Sequence, residues 1–192
     1  MTTNRLIVKQ EVATYTSTLL EAAFEAAGQE GVLKVRDQLD FVMATIRGNA
    51  DLRDALADLG FTPEQRHELV KNVLAGLDPL VVSVVAIMAE RGNLDELGLV
   101  VSSYKDAAED KLGVCVVDVT TVVELDDELR QFISDKLTKD LGKPVVLREH
   151  IDKSILGGII MSTHGKRIDA SVFSRLEKTR NVLTESNDGG EC

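Results

Sequence analysis

The sequence contains no tryptophan and few other aromatic residues, since aromatics make up only 4% of its 192 residues. A hydrophobic core must therefore be built from Leu, Val, Ile and Ala, and aliphatic interiors of this kind suit closely packed helices. The hydrophobic fraction of 44% is ordinary for a soluble globular protein. A chain of this length accommodates one large domain or two small ones.

Cysteine is also scarce, with Cys115 and Cys192 as the two residues in the chain. Cysteines so far apart do not make a disulfide framework. Cys115 stands in an alternating apolar run and shares a face with Val117 and Val119, so we expect it to be a small buried hydrophobic side chain. Cys192 is the last residue rather than the fourth from the end, which excludes a prenylation box. We expect it in a polar tail that begins near residue 185.

Basic residues are outnumbered, because 22 Lys and Arg against 32 Asp and Glu give a formal net charge of −10. A nucleic-acid-binding protein usually presents a basic patch that displaces phosphate counterions. An acidic surface also disfavours direct docking on anionic lipid. The charge balance therefore predicts neither nucleic acid nor a lipid surface as a partner.

Apolar runs long enough to span a bilayer are also missing. The longest run, residues 80–89, is interrupted by Ser83, whereas a spanning helix needs about 20 apolar residues. The N-terminal residues lack the pattern of a signal peptide or a transit peptide. We therefore expect a protein of the cytosolic compartment that does not itself insert into a membrane.

The sequence shows no catalytic or metal-binding arrangement. The histidines are His67, His150 and His164, and no pair of them has metal-ligand spacing. Neither a Cys-x-x-Cys pair nor the Gly-x-Ser-x-Gly nucleophile motif occurs. The segment from Gly158 to Gly165 does not match a phosphate-binding loop, because the glycines are too far apart and a strand pattern follows. We predict no catalytic, cofactor-binding or metal-binding residues.

The first half of the chain has apolar residues three to four positions apart, which is typical of helices. Gly28 and Gly31 are expected to end the first helix, and Thr62 with Gln65 forms a capping box at a later helix start. Six helices are predicted, at about residues 8–26, 32–47, 51–59, 62–76, 80–90 and 93–111. We therefore expect an N-terminal all-α bundle of six helices over residues 1–112.

The fifth predicted helix, residues 80–90, is apolar on nearly every side. A helix of this kind is normally buried all round. The alternative is that, in a small bundle, part of its surface forms a groove that binds a partner helix. The pattern alone leaves both interpretations open.

The apolar period changes from about 3.6 residues to about 2 after Gly113, which predicts a second domain over residues 113–192. Its expected elements are strands at 114–123 and 145–151, a hairpin at 158–169, a helix from Asp126 to Gly142 and a last helix from about Ser171. The first of these helices has an apolar face of Leu129, Phe132, Ile133, Leu137 and Leu141. The chain is thus predicted to have two domains, the second a small α/β (α+β) domain with a hairpin and flanking helices.

The most specific pattern in the chain lies at residues 151–176. An acidic residue and an apolar pair precede two glycines, and a hairpin with an Asp-x-Ser helix start follows them. The residues of the pattern are Asp152, Leu156, Gly157, Gly158, Gly165, Asp169, Ser171 and Leu176. This pattern resembles the signature of the delta subunit of bacterial F-type ATP synthases, which is related to the mitochondrial oligomycin-sensitivity-conferring protein. The resemblance covers about residues 8–183, although Thr16 and Thr18 stand where that family often has alanine.

The resemblance implies a stator subunit that has no catalytic residues and no cofactor. In that family, the helical N-terminal domain binds N-terminal segments of the alpha subunits. The C-terminal domain holds the C-terminal ends of the b subunits of the peripheral stalk. Such a subunit keeps the catalytic head from turning with the rotor, so that proton flow is coupled to ATP synthesis. It lies on the cytoplasmic side of the bacterial cell membrane as a peripheral part of the complex.

The resemblance also predicts a groove between the first and fifth predicted helices that takes an amphipathic alpha-subunit helix. Its candidate wall residues are Val12, Tyr15, Leu19, Val81, Val85 and Met88. A helical adaptor in another assembly would keep this groove without requiring the hairpin signature. A small enzyme that uses Cys115 or a carboxylate is a third alternative, and it requires a reactive thiol.

Overall fold

The computed structural model describes residues 2–58, 60–163 and 166–185. His164 and Gly165 of the predicted hairpin, and the tail from residue 186 onwards, lie outside the described residues. The chain divides into two compact units, Met1–Leu112 and Gly113–Cys192, which we call the N-terminal unit and the C-terminal unit. The division falls at the position where the apolar period of the sequence changes.

The N-terminal unit is helical throughout its regular structure. Its helices are α1 (Thr2–Gly48), α2 (Ala50–Ala57), α3 (Pro63–Val73), α4 (Pro79–Arg91) and α5 (Leu97–Leu112), with a short 3-10 turn at Leu94–Glu96. The predicted count of six helices is not confirmed over the described residues, because the first two predicted helices form the single helix α1. The third predicted helix was expected to reach Leu59, which lies outside the described residues.

Helix α1 is kinked at Ala27 and Gly28, which divide it into a first arm (residues 2–26) and a second arm (residues 29–48). Ala27 has φ −149° and ψ 23°, and Gly28 has φ 57° and ψ −134°. Glycine suits this position because it adopts positive φ without a steric penalty. Gly31 was predicted to end the first helix, but it lies inside the second arm. A Cβ atom on Gly31 would lie 2.3 Å from the carbonyl oxygen of Ala23, so glycine there lets the two arms approach closely.

Side-chain caps define several helix ends in this unit. The capping box predicted at Thr62 is confirmed, because its Oγ1 accepts a hydrogen bond from the Gln65 amide at 3.3 Å. In return, Gln65 Oε1 accepts one from the Thr62 amide at 2.9 Å. Asp78 caps α4 through the Leu80 amide at 3.1 Å, and Gly92 ends that helix in the left-handed conformation.

Most of helix α4 lies in the apolar core, although it is not buried all round, because Ile87 is 37% exposed. Its buried residues are Val81, Val82, Val84, Val85, Ala86, Met88 and Ala89. Tyr104 of α5 is fully buried and donates a hydrogen bond to the Val32 carbonyl at 3.1 Å. Burial also raises the pKa of Tyr104 above its ordinary value. This bond ties α5 to the second arm of α1.

The C-terminal unit contains a four-stranded mixed sheet and two α-helices in its described part. Its elements are β1 (Cys115–Thr121), α6 (Asp127–Leu141), β2 (Val145–Ile151), β3 (Ile159–Thr163), β4 (Lys166–Asp169) and α7 (Val172–Glu185), with a 3-10 turn at Lys153–Ile155. The strand order is β2-β1-β3-β4. β1 pairs in parallel with β2 and antiparallel with β3, and β3 pairs antiparallel with β4. β1 is shorter than the predicted strand 114–123.

The core of this unit is small. Its buried residues are Cys115, Val117, Val119, Leu125 and Ile133. Helix α6 connects the parallel strands β1 and β2, and contacts between α6 and β2 hold it on the sheet. Arg130 of α6 donates hydrogen bonds to the Glu149 carboxylate of β2, and one to the Leu125 carbonyl at 3.0 Å. These bonds fix the start of α6 relative to the edge of the sheet.

Candidate partner-binding surfaces

The signature segment begins with a side-chain-capped turn. Asp152 Oδ1 accepts a hydrogen bond from the Ser154 amide at 2.8 Å. Hydrogen bonds from Ser154 hold the pKa of the Asp152 carboxyl below its usual range. The turn leads to Leu156, which has a positive φ of 61° and is 69% exposed. The signature thus presents a large apolar side chain to solvent immediately before its two glycines.

Gly158 brings two segments of the signature together. It has a φ of 86°, and a Cβ atom there would lie 2.5 Å from the carbonyl oxygen of Ala170 and 2.8 Å from the Cα of Ser171. The Val172 amide donates a hydrogen bond to the Gly157 carbonyl at 3.0 Å. The glycine pair therefore allows β3 to start directly against the beginning of α7.

Asp169 and Ser171 cap backbone amides at the start of α7. Asp169 Oδ1 accepts a hydrogen bond from the Ser171 amide at 2.9 Å, and Ser171 Oγ accepts one from the Ser174 amide at 3.2 Å. Hydrogen bonding from Ser171 lowers the pKa of Asp169. Leu176 then lies one turn along α7 and is 60% exposed. Among the described signature residues the polar ones cap turns, whereas Leu156 and Leu176 are presented to solvent.

An apolar groove, which we call the α6 groove, lies between α6 and strands β3 and β4. It has a volume of about 740 Å³, and its large apolar lining residues are Val122, Val123, Leu125, Leu129, Phe132, Ile133, Leu137, Ile159, Met161 and Ile168. Four of these side chains are largely exposed: Val123 (70%), Phe132 (64%), Ile168 (58%) and Leu129 (44%). The predicted apolar face of α6 is therefore only partly buried, and Ile133, 7% exposed, is its one buried member.

Charged residues at the edge of the α6 groove are mostly acidic. Glu124, Asp126 and Asp140 line it together with a single cation, Lys136. Gly157 and Gly158 of the signature also contribute to its wall. The groove thus combines an apolar floor with a negative rim.

Helix α7 forms a second exposed apolar surface in the same unit. Val172, Phe173 and Leu176 are 42%, 57% and 60% exposed. Large apolar side chains that lie together on the surface of a protein often mark an interaction site. Both surfaces adjoin residues of the signature.

The six candidate wall residues of the N-terminal unit all lie in its core. Val12 and Tyr15 are 8% exposed, and Leu19, Val81, Val85 and Met88 are fully buried. The Tyr15 hydroxyl also accepts a hydrogen bond from Arg91 Nη1 at 3.3 Å. This burial favours the core interpretation of these residues, and their contact with a partner stays a prediction.

An open groove in the N-terminal unit lies elsewhere, between the first arm of α1 and α5. We call it the α1–α5 groove. It has a volume of about 810 Å³ and is lined by Arg5, Leu6, Val8, Lys9, Val12, Leu99, Ser102, Ser103 and Asp106. Leu6 is 65% exposed and Leu99 is 55% exposed. Val12 is the one candidate wall residue that borders it.

The cysteine on which the enzyme alternative depends lies in a buried environment. Cys115 is 2% exposed, and its Sγ lies 3.2 Å from Thr163 Oγ1, which is the predicted buried environment. Within residues 2–58, 60–163 and 166–185, no three His, Cys, Asp or Glu side chains converge in a way that would hold a metal ion. In the same ranges, no helix combines the length and the apolar character needed to span a membrane.

Sequence reasoning missed the α6 groove and the α1–α5 groove. Both grooves include residues with ordinary helical apolar spacing. This spacing identifies the apolar face of a helix, but it does not show whether another element covers that face. Val123 of the α6 groove was expected inside the strand 114–123, whereas β1 ends at Thr121 and leaves Val123 in the connection to α6. For the α1–α5 groove, Leu6 precedes the apolar series of the first predicted helix and was left unassigned.

The sequence matches known proteins over most of its length. The sequence model of the family described as ATP synthase delta (OSCP) subunit matches residues 14–183. A protein of Anaeromyxobacter dehalogenans named ATP synthase subunit delta is 30% identical, over 85% of this chain and 93% of that protein. A protein of Symbiobacterium thermophilum with the same name is 29% identical, over 86% of this chain and 91% of its own length. A chain of the Toxoplasma gondii mitochondrial ATP synthase hexamer is 18% identical and overlays with a TM-score of 0.49, over 90% of this chain and 97% of that one.

Proposed function

Because this chain belongs to the ATP synthase delta (OSCP) subunit family, it is a non-catalytic stator subunit of F-type ATP synthase, and we propose that its two units bind different parts of that complex. The N-terminal unit binds N-terminal segments of the alpha subunits of the catalytic head. The C-terminal unit binds the C-terminal ends of the b subunits of the peripheral stalk. The chain thereby links head to stalk, so that the head does not turn with the rotor.

The α6 groove is the observation on which this assignment mainly depends. Its exposed residues Val123, Leu129, Phe132 and Ile168 leave a large apolar surface in water. An apolar groove of this kind suits the apolar face of an amphipathic helix. Because a stator joint is permanent, we expect the complete interface to bury at least about 1,600 Å², so α7 is expected to contribute to it.

Charge indicates which helix surface the α6 groove would accept. Glu124, Asp126 and Asp140 outnumber Lys136 at its rim, so a partner helix with basic residues beside its apolar stripe is favoured. We expect such residues in the C-terminal segment of the b subunit. The complex then holds the chain at the cytoplasmic face of the membrane through protein contacts.

The direct test is titration calorimetry of the full chain with a peptide of the C-terminal segment of the b subunit from the same organism. Phe132→Ser removes an exposed aromatic ring from the α6 groove, and we expect binding to weaken by about tenfold or more. Phe41→Ser is the matched control, because Phe41 is 57% exposed in the N-terminal unit. We expect that control to bind as the unaltered chain does.

A second variant in the C-terminal unit distinguishes the contribution of α7 to peptide binding from that of the α6 groove. Phe173→Ser alters α7, where Phe173 is 57% exposed and does not line the α6 groove. A loss of affinity in Phe173→Ser but not in Phe132→Ser would assign the stalk to α7 alone. Equal affinity in all three variants would contradict the assignment of the b subunit to either surface.

A further inference from the structure

Helix α7 is held at its beginning and is exposed along most of the length that follows. The Val172 amide donates a hydrogen bond to the Gly157 carbonyl at 3.0 Å, and Ser171 caps the Ser174 amide. Among residues 172–181, whose exposure the structure describes, none is buried. A helix of 14 residues is only marginally stable in water without tertiary packing. We therefore expect a further surface to cover α7.

The uncovered apolar face of α7 has a basic residue at one edge. Val172, Phe173 and Leu176 form this face and are 42%, 57% and 60% exposed. Since a helix turns by about 100° per residue, Arg175 lies about 60° from Val172 around the axis, at the edge of the face. Lys178 lies about 160° from Leu176, on the opposite side. Arg175 forms no ion pair with the residues that the structure describes.

The α6 groove has the charges and the apolar floor that would complement this face. Glu124 and Asp140 lie at its rim with a single cation, Lys136. Neither carboxylate has an ion-pair partner in the described ranges of the chain. The second edge of the α7 face carries Glu177, about 40° from Phe173 around the helix. Each edge of the helix face thus has an opposite charge available at the groove rim.

The helix and the groove do not meet within one chain. The residues that line the α6 groove include none of the described residues of α7. The direction of α7 is fixed at its start, because Asp169 caps the Ser171 amide and Gly158 lies against the backbone of Ala170. Turning α7 into the groove of its own chain would break these contacts. The groove that α7 is able to enter therefore belongs to a second copy.

We propose that two copies of the free chain form a two-fold dimer, in which α7 of each copy lies in the α6 groove of the other. The exchange is closed, because each copy gives one helix and receives one. A one-way contact would leave a groove and a helix exposed and would extend into a filament. Two joints that bury about 800 Å² each together equal a stable interface of standard size. The dimer covers apolar surfaces that the free chain otherwise exposes to water.

This self-association goes beyond the proposed function and concerns the chain before it is assembled. The proposed function assigns the α6 groove to the b subunit and expects α7 to contribute to the same interface. A second copy and a b-subunit helix therefore exclude each other from these surfaces. The dimer is the state of the free chain, and binding of the stalk separates it.

The test is the mass of the full chain in solution, measured by sedimentation equilibrium over a range of concentrations. We expect a monomer–dimer equilibrium whose upper limit is twice the 20.9 kDa of one chain. The mass of a single chain at every concentration up to about 0.5 mM would overturn the proposal, since the dissociation constant would then lie in the millimolar range. A mass that continues to grow beyond two copies would contradict the closed exchange.

One variant on each side of the joint tests which surfaces meet. Phe173→Ser alters the helix and Phe132→Ser alters the groove. Each change occurs in both joints, so a tenfold loss per joint gives a dimer that is about a hundredfold weaker. Phe41→Ser is the control, because Phe41 is 57% exposed in the N-terminal unit, and it should dimerise as the unaltered chain does. Circular dichroism checks the fold of each variant, and an unchanged dimer in either C-terminal variant would overturn the exchange.

Two lysine and arginine variants of the same helix test its orientation in the groove. Arg175→Glu should weaken the dimer by about tenfold, because it places a negative charge against the acidic rim in both joints. Lys178→Glu changes the net charge equally on the opposite side of α7 and should have a much smaller effect. Equal losses in the two variants would contradict the proposed seating of α7.

Failure of the dimer and failure of the proposed function give different results. The mass is measured without any partner, so a monomeric chain overturns the dimer and leaves the b-subunit assignment standing. We expect a peptide of the C-terminal segment of the b subunit to convert the dimer into complexes that contain one chain. A dimer that persists while the peptide is bound would overturn the α6 groove as the stalk site and leave the exchange standing.

Discussion

Gly158 lies directly against the backbone of Ala170, because a Cβ atom on Gly158 would be 2.5 Å from the Ala170 carbonyl oxygen. The atoms in the way belong to the backbone, so no side-chain rotation relieves the overlap. Gly158 also has a φ of 86°, in a region that side chains with a Cβ rarely adopt. Glycine is therefore required at position 158 so that β3 can begin directly against the start of α7.

Gly158→Ala should destabilise the C-terminal unit by about 3 kcal/mol, since it adds steric overlap to backbone strain. Gly142→Ala is the control, because Gly142 has a φ of 70° with nothing within 4 Å of an added Cβ. Strain alone should make that variant less stable by about 1 kcal/mol. Hydrogen exchange of the β3 amides measures both effects, and equal losses in the two variants would show that the overlap is relieved.

Gly31→Ala should destabilise the N-terminal unit by about 2 kcal/mol or more, because the new methyl group overlaps the backbone across the kink. The distance from that Cβ to the Ala23 carbonyl oxygen would be 2.3 Å. Gly48→Ala at the end of α1 is the control, since nothing lies within 4 Å of its Cβ position. Urea denaturation followed by tyrosine fluorescence reports the stability of this unit. An unchanged midpoint for Gly31→Ala would mean that the arms separate at little cost.

Thr16→Val should stabilise the N-terminal unit by about 1 kcal/mol, because it removes a buried hydroxyl without reducing side-chain volume much. Thr16 is 5% exposed, and its Oγ1 has no hydrogen-bond partner in the described part of the chain. Its neighbours Thr14 and Thr18 instead donate to the carbonyls of Gln10 and Thr14. This is one of the two positions at which the family often has alanine.

Thr18→Val provides the comparison for that experiment. Thr18 is exposed and its hydroxyl is paired, so its replacement should change the free energy of unfolding by no more than about 0.5 kcal/mol. Urea denaturation followed by tyrosine fluorescence measures both variants. A loss of stability in Thr16→Val would indicate that the hydroxyl has a partner, such as bound water.

Local patterns predicted much of the fold because their physical causes lie within a few residues. The Thr62–Gln65 capping box spans a single turn, and the strand at residues 145–151 was predicted with the bounds that β2 has. The kink in α1 could not be predicted in the same way. Gly28 indicated the break correctly, since the non-helical residues are Ala27 and Gly28, but Gly31 was wrongly expected to end the helix because the sequence does not show that glycine there is needed for close approach to Ala23.

The candidate surfaces were harder to predict than the fold, because apolar spacing does not reveal what covers a residue. Val85 and Phe132 both fit an apolar helix face, yet Val85 is fully buried and Phe132 is 64% exposed. The difference arises from neighbouring elements: α4 packs against α1 and α3, whereas α6 packs on a small sheet. In contrast, the polar signature residues Asp152 and Asp169 have local capping roles.

An ion pair between α6 and β2 makes the C-terminal unit sensitive to acid. Arg130 hydrogen-bonds the Glu149 carboxylate through two of its nitrogens. The hydrogen bond from Arg130 holds the pKa of Glu149 below its ordinary value of 4.5, and the same pairing raises the pKa of Arg130. Glu149 therefore binds a proton more readily in the unfolded chain than in the folded one.

The contribution of this pair to stability should be complete well above pH 4.5, the ordinary pKa of Glu149, and should be lost as the pH falls through the lowered pKa of the folded state. We expect the protection of β2 amides from hydrogen exchange to fall between about pH 6 and about pH 3, after correction for the intrinsic exchange rate. Glu149→Gln should show less protection at the upper end and a smaller decrease, because its side chain does not titrate. Glu177→Gln removes the same charge from α7, where Glu177 forms no ion pair with the described residues, and should follow the unaltered chain. An identical decrease in all three proteins would assign the acid sensitivity to other carboxyl groups, such as Asp152 and Asp169, whose pKa values are also lowered.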